Sequence, residues 1–130
     1  MSKRVTSLSV GSLIREVLTE NEDVQVITTR VFPVVTDTAD LPYIFYRVSA
    51  FEHDATKGRE GADTVQVEIC CCTESYAEGV DLAEAVRGAL DYRAYSTNDG
   101  LEMRSCNLMS YEQQWSDDAH IGTLVFSVKV

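Results

Sequence analysis

The sequence predicts an α+β fold: a two-layer sandwich with a mostly antiparallel sheet of about four to five strands and two helices packed on one face. Three observations carry that prediction. Two segments repeat apolar residues every three to four positions, as helices that cover a sheet do, while four segments alternate or run β-branched. The element order, α-β-β-β-α-β-β, separates helices from runs of adjacent strands. A chain of 130 residues with 45% hydrophobic content is long enough for one ordinary core, so a single domain over residues 1–130 is expected.

The first helix is expected from about Leu8 to Glu20, where Leu8, Val10, Leu13, Ile14, Val17 and Leu18 form one apolar stripe. Ser7 or Ser9 can accept from its free amides, and Asn21-Glu-Asp is suited to ending it. Val24-Gln-Val-Ile-Thr-Thr-Arg-Val-Phe-Pro-Val-Val is β-branched and should be extended, with Pro33 confining its end to an edge or a break. Asp37 to Asp40 reads as a turn. From Tyr43 to Phe51 both alternating faces carry bulk, which suits a central strand or one covered by something other than water.

In the next strand Val65, Val67, Ile69 and Cys71 share one core face, and the loop His53 to Asp63 makes the pair a long antiparallel hairpin. Ser75 and Glu78 have the spacing of a capping box, which starts the second helix. Tyr76, Val80, Ala83, Val86 and Leu90 are its expected stripe, with Gly88 a small defect and Asp91 to Gly100 a return loop. Two strands complete the sheet, Leu101 to about Glu112 and Ile121 to Val130. The polar connection between them carries Trp115 at its tip. Leu13, Val17, Val80 and Val86 should meet the inward strand faces in one core.

Charge bounds the function. With 21 acidic against 11 basic residues and a formal net charge of -10, the chain repels phosphate backbones, which disfavours nucleic-acid binding driven by counterion release. No apolar run approaches the ~20 residues that span a bilayer, and Met1-Ser-Lys-Arg-Val leads into no signal-peptide core, so no membrane partner and synthesis in the cytoplasm are expected.

The motifs for chemistry are poor. Cys70, Cys71 and Cys72 point alternately to opposite faces of a strand and cannot converge on one tetrahedral metal, so no metal site is expected; with Cys106 they read as small apolar core residues. A disulfide from Cys106 to one of the three requires neighbouring strands. His53 lies near Asp54, and His120 near Asp117 and Asp118, in polar loops with no nucleophile beside them, so both read as surface histidines. Lys57-Gly-Arg-Glu-Gly lacks the pattern of a phosphate cradle and does not open a helix. No catalytic residue and no cofactor is therefore expected.

The N-terminal amphipathic helix, Leu41-Pro-Tyr-Ile-Phe-Tyr46, the loop ending Gly61-Ala-Asp63, Val65-Gln-Val-Glu-Ile69 and Ala77 to Leu90 with Leu82-Ala-Glu-Ala-Val-Arg-Gly-Ala-Leu come in a telling order. In order and spacing, over residues 8–130, they resemble the tail-completion proteins of tailed bacteriophages and prophages, the tail-to-head joining or tail-terminator family. The Cys70 to Cys72 run departs from that resemblance. What the resemblance implies is a structural virion subunit without enzymatic activity, forming a ring, typically a hexamer, that ends the tail tube. Its partners would be further copies of itself, the tail-tube protein and the head-connector proteins, with DNA passing through unbound.

On that reading His53, Lys57, Arg59, Glu60 and Trp115, together with exposed strand edges, are the candidate assembly interface. A closing ring needs one patch to meet a different patch of its neighbour. The competing expectation is a small cytosolic α+β enzyme or ligand-binding domain, with His53 or His120 and an acidic neighbour in a pocket between helix and sheet.

Overall fold

A computed structural model of the chain describes residues 7–33, 40–54, 62–96, 101–116 and 118–130. After a 3-10 turn at Ser7–Ser9 come α1 (Val10–Glu20), α2 (Glu22–Ile27), β1 (Val31–Phe32), β2 (Tyr43–Asp54), β3 (Ala62–Thr73) and α3 (Tyr76–Leu90). They are followed by β4 (Tyr95–Ser96), β5 (Glu102–Met103), β6 (Ser105–Ser116) and β7 (Ala119–Lys129). The main sheet has the order β1-β2-β3-β7-β6, antiparallel throughout its long strands, with β1 parallel to β2; β4 and β5 form a separate small hairpin. The α+β class and the antiparallel β2–β3 hairpin follow the sequence prediction.

One sheet face is closed by helices. Leu13, Ile14 and Leu18 from α1, and Leu82, Val86 and Leu90 from α3, pack on Ile44 and Tyr46 of β2, on Val65, Val67, Ile69 and Cys71 of β3, and on Leu124, Phe126 and Val128 of β7. The spacing of these residues, three to four on the helices and two on the strands, puts each set on a single face. Val17 and Val80, expected in the core, are only half-buried.

The helix count is three, not two, and the difference lies in Val24 to Phe32. Its first part winds into α2, because Asn21, the residue that ends α1, accepts through its side chain from the amide of Val24 at 3.1 Å and so caps a new helix. Val24 is then fully buried, a tertiary gain that outweighs the weak β preference of the segment. Val31 and Phe32 form the short strand β1, and Pro33 follows them. At the start of α1 the Ser9 side chain makes no cap hydrogen bond; the Ser12 hydroxyl instead donates to the Ser9 carbonyl at 2.8 Å.

The expected cap of α3 is present. Ser75 Oγ accepts from the Glu78 amide at 3.2 Å, while Glu78 Oε1 reaches back to the Glu74 amide at 3.4 Å, one residue earlier than in the usual box. The inward stripe of α3 includes Gly79, Leu82 and Ala89, whereas Tyr76 is exposed. The four cysteines are free and buried. Because β7 lies between β3 and β6, Cys106 has none of the other three on a neighbouring strand.

Candidate assembly surface

The long edges of the sheet are β2 and β6, and each is covered only near its start, so that, among the described residues, its later half is free. β1 pairs with Ile44 and Phe45, and the Ile44 amide donates to the Arg30 carbonyl at 2.8 Å. Past Phe45, among the described residues, no strand lies along the outer edge of β2. On β6 the Cys106 carbonyl accepts from the Tyr92 amide at 2.7 Å, and the Leu108 amide donates to Asp91 Oδ1 at 2.9 Å. From Ser110 to Ser116, among the described residues, no backbone group is held by another element beyond β7. Unpaired edges of this kind are templates for a further strand.

Of the candidate interface residues, His53 and Trp115 lie on these two edges. His53 is in the free half of β2, not in a loop: the strand runs on to Asp54, and His53 stands opposite Asp63 of β3, with its ring Nδ1 hydrogen-bonded to that carboxylate. Trp115 is in the free half of β6, not at a tip, because β6 and β7 continue pairing to Ser116 and Ala119 around a tight turn with Asp118 at φ 63°. Its side chain is 61% exposed. Lys57, Arg59 and Glu60 lie outside the described residues.

Val48, Phe51, Met109 and Tyr111, exposed apolar residues that sequence reading did not single out, share these edges with Trp115. Val48 and Phe51 stand on the helix side of β2, since they oppose Val67 and Val65 of the core. Tyr111, opposite Leu124, and Trp115, opposite His120, stand on the same side of β6. Met109 is exposed at the β-bulge between Leu108 and Ser110. Beside Val48 opens a groove of about 390 Å³ lined by Leu8, Ser9, Gly11, Ser12, Pro33, Tyr46, Arg47 and Val48, with Leu8 exposed at its rim. The signal was the spacing of Leu108, Tyr111 and Trp115 in a polar run, which is legible only once the bulge is known.

The other sheet face is open and mainly polar. Arg47 and Glu68 form an ion pair at 2.9 Å, worth little because Arg47 is largely exposed. Ser49 Oγ donates to the Gln66 carbonyl at 3.2 Å, and Thr123 and Cys70 meet at 3.6 Å.

The histidines do not assemble into a site. His120 is buried at 6% exposure, a correction to its reading as a surface residue. It sits on the core side of β7 with Tyr76 edge-on at 5.5 Å, and neither ring nitrogen has a hydrogen-bond partner. It pairs across from Thr73, whereas His53 pairs across from Asp63, ten residues back along β3; at ~3.3 Å per residue the two rings are about 33 Å apart. The thiols are equally unsuited to nucleophilic work: burial pushes Cys71 up, and burial beside Asp91 pushes Cys106 up to about 12. Among the described residues no cluster of three or more histidine, cysteine or acidic side chains could hold a metal, and no helix is long and apolar enough to cross a membrane.

Comparison with known proteins adds two findings. A family model described as tail completion protein gp17 matches residues 12–128. No curated protein matches the sequence. Among solved structures, a chain of a "Virion of native gene transfer agent (GTA) particle" superposes with a TM-score of 0.71, covering 97% of this chain and 98% of that one at 14% identity. At that identity the likeness is one of fold.

Proposed function

This chain belongs to the tail completion protein gp17 family, structural proteins of phage tails, and from that premise we propose that it is a ring-forming virion subunit that ends the tail and joins it to the head connector. The observation that carries the reading is the family match over nearly the whole chain. Its partners are then further copies of itself in a ring, hexameric in the simplest case, with the tail-tube protein below and connector proteins above. The interface is assigned to His53 and Trp115 on the two edges and to Lys57, Arg59 and Glu60, which lie between β2 and β3 in sequence and outside the described residues.

The charge suits a conduit. A ring of subunits each carrying -10 repels phosphates, so DNA slides through without adhering. Retention of DNA by the purified protein at low salt contradicts this part.

Deletion of the gene from its phage tests the whole reading. The expected lysate contains filled heads and separate tails of irregular length, restored to joined particles by the gene supplied in trans. Normal particles from the deletion refute it. For the loop, Lys57→Glu with Arg59→Glu is expected to weaken assembly, and an unchanged oligomer removes those two residues from the interface.

A further inference from the structure

We infer that neighbouring subunits join edge to edge, the free half of β6 in one copy pairing antiparallel with the free half of β2 in the next, so that the sheet continues around the ring with the helices outside and the open sheet face lining the lumen. This rests on the ring-forming reading and names the contact that closes it.

The first ground is direction. β2 runs antiparallel to β3, β3 to β7 and β7 to β6, so a copy placed beside this one by rotation sets its β2 antiparallel to β6. The contact joins two different surfaces, as a cyclic assembly requires.

The second ground is stagger. Row by row across the sheet, Gln113 stands level with Gly122, Cys71 and Ile44. The free part of β6 is thus level with the covered part of β2, and flat side-by-side docking fails. In a closed sheet the strands tilt by ~35–45°, and four strands ~4.8 Å apart displace each subunit along the strand by about 13–19 Å, or about four to six residues.

Parity allows only even steps, because paired residues must share a face. A shift of four puts Gln113 opposite Val48. Across the bulge between Val48 and Ala50 it then puts Glu112 opposite Ala50 and Tyr111 opposite Phe51. A shift of six sets Glu112 against Glu52 instead, a like-charge pair.

The third ground is the sign of that displacement. β3 and β6 are parallel with α3 between them in sequence, and such crossovers are right-handed, which fixes the left-to-right order of the strands seen from the helix side. Right-handed strand twist makes the strands of a closed sheet wind one way. With helices outside, the displacement slides the neighbour's β2 so that its later, free residues meet the free half of β6. With helices inside, it moves the free halves apart.

The side chains agree. Val48, Phe51, Tyr111 and Trp115 are exposed, and all stand on the helix side, so the joined edges bury them against one another. Trp115 then faces the neighbour's Tyr46 and the groove bounded by Leu8, Gly11 and Val48, a large aromatic meeting a pocket of matching place. The lumen receives Gln66, Glu68 paired with Arg47, Thr123 and Ser127.

Cysteine cross-linking in the full-length protein tests the contact. Within one subunit Val48 and Gln113 are three strands apart and four residues apart along the strand direction, about 20 Å in all, so Val48→Cys with Gln113→Cys forms a bond only between subunits. Under mild oxidation the double variant is expected to give a covalent ladder up to the ring size found by native mass spectrometry, and each single variant none beyond dimer. Rings by mass without the ladder overturn the edge pairing while leaving ring formation standing. Absence of any association, in the wild type or the double variant at millimolar concentration, overturns both.

Discussion

Gly79→Ala probes the closest approach between helix and sheet. A Cβ at Gly79 would lie 2.7 Å from His120 Cε1 and 2.9 Å from Thr73 Oγ1, and closer still to His120 Nδ1. Neither neighbour can yield easily, because both are buried on central strands, β7 and β3, and Thr73 Oγ1 donates to the Ser75 carbonyl at 2.9 Å. Overpacking of this kind costs about 1–3 kcal/mol, against which alanine returns ~1 kcal/mol of helix propensity. The net expectation is a loss of about 0–2 kcal/mol, read as a lower urea midpoint at unchanged slope.

Gly88 supplies the control, since a Cβ there meets nothing within 4 Å on the exposed side of the same helix. Gly88→Ala is expected to raise stability by about 0.5–1 kcal/mol. Combining Gly79→Ala with His120→Ala removes the closer of the two obstructions, and the two changes should couple favourably by ~1 kcal/mol or more. Gly79→Ala as stable as Gly88→Ala, or no coupling with His120→Ala, refutes the packing described for α3.

Three further outcomes follow from the same geometry. Ser75→Ala removes the acceptor for the Glu78 amide and should cost about 1 kcal/mol in chemical denaturation, with Ser75→Asp restoring most of it. Burial and the Asp91 charge hold the Cys106 thiol up at about 12, so iodoacetamide at pH 9 should leave it unmodified in the folded protein and label it in urea. The sign of the linkage is that this group favours the folded state fully below pH 9 and loses that contribution as pH rises toward 12, so urea midpoints should fall over that window. The Tyr95 phenol is raised to about 12 by desolvation and by its hydrogen bonds to Glu16 and Glu20 at 3.0 and 3.1 Å; Tyr95→Phe should remove one late-ionising phenol from the alkaline absorbance titration.

What the sequence made legible is what local chemistry decides. Ser75 and Glu78 announced α3 because a capping pair acts within one turn. The alternation of Val65, Val67, Ile69 and Cys71 announced a half-buried strand, because side-chain direction has period two. α2 was missed because Val24 to Thr29 reads as β-branched, while the deciding feature is Asn21, which ends α1 and whose side chain caps the start of α2. His120 was misread for a related reason: its burial comes from Tyr76 and Gly79, forty residues away in sequence, and its acidic neighbours gave no sign of them.

The assembly surface was half legible. Trp115 stood out as a large aromatic in a polar run, and His53 by its place before the loop. Which halves of the edge strands are free depends on β1 being two residues long and on Asp91 and Tyr92 covering only the start of β6. Those are tertiary facts. The proposed pairing of Val48 and Phe51 with Tyr111 and Trp115 of a neighbouring copy could not be read before the order of strands was known.

The central claim is that this chain makes a closed ring through two unlike surfaces. Its most direct test is the mass distribution of the purified protein in solution, taken with electron microscopy of the same sample. One discrete multimer that appears as rings, and that falls back to single subunits when Trp115→Lys removes one of the two edges, is the predicted result. Two-fold dimers, open-ended filaments, or a monomer at every concentration contradict it.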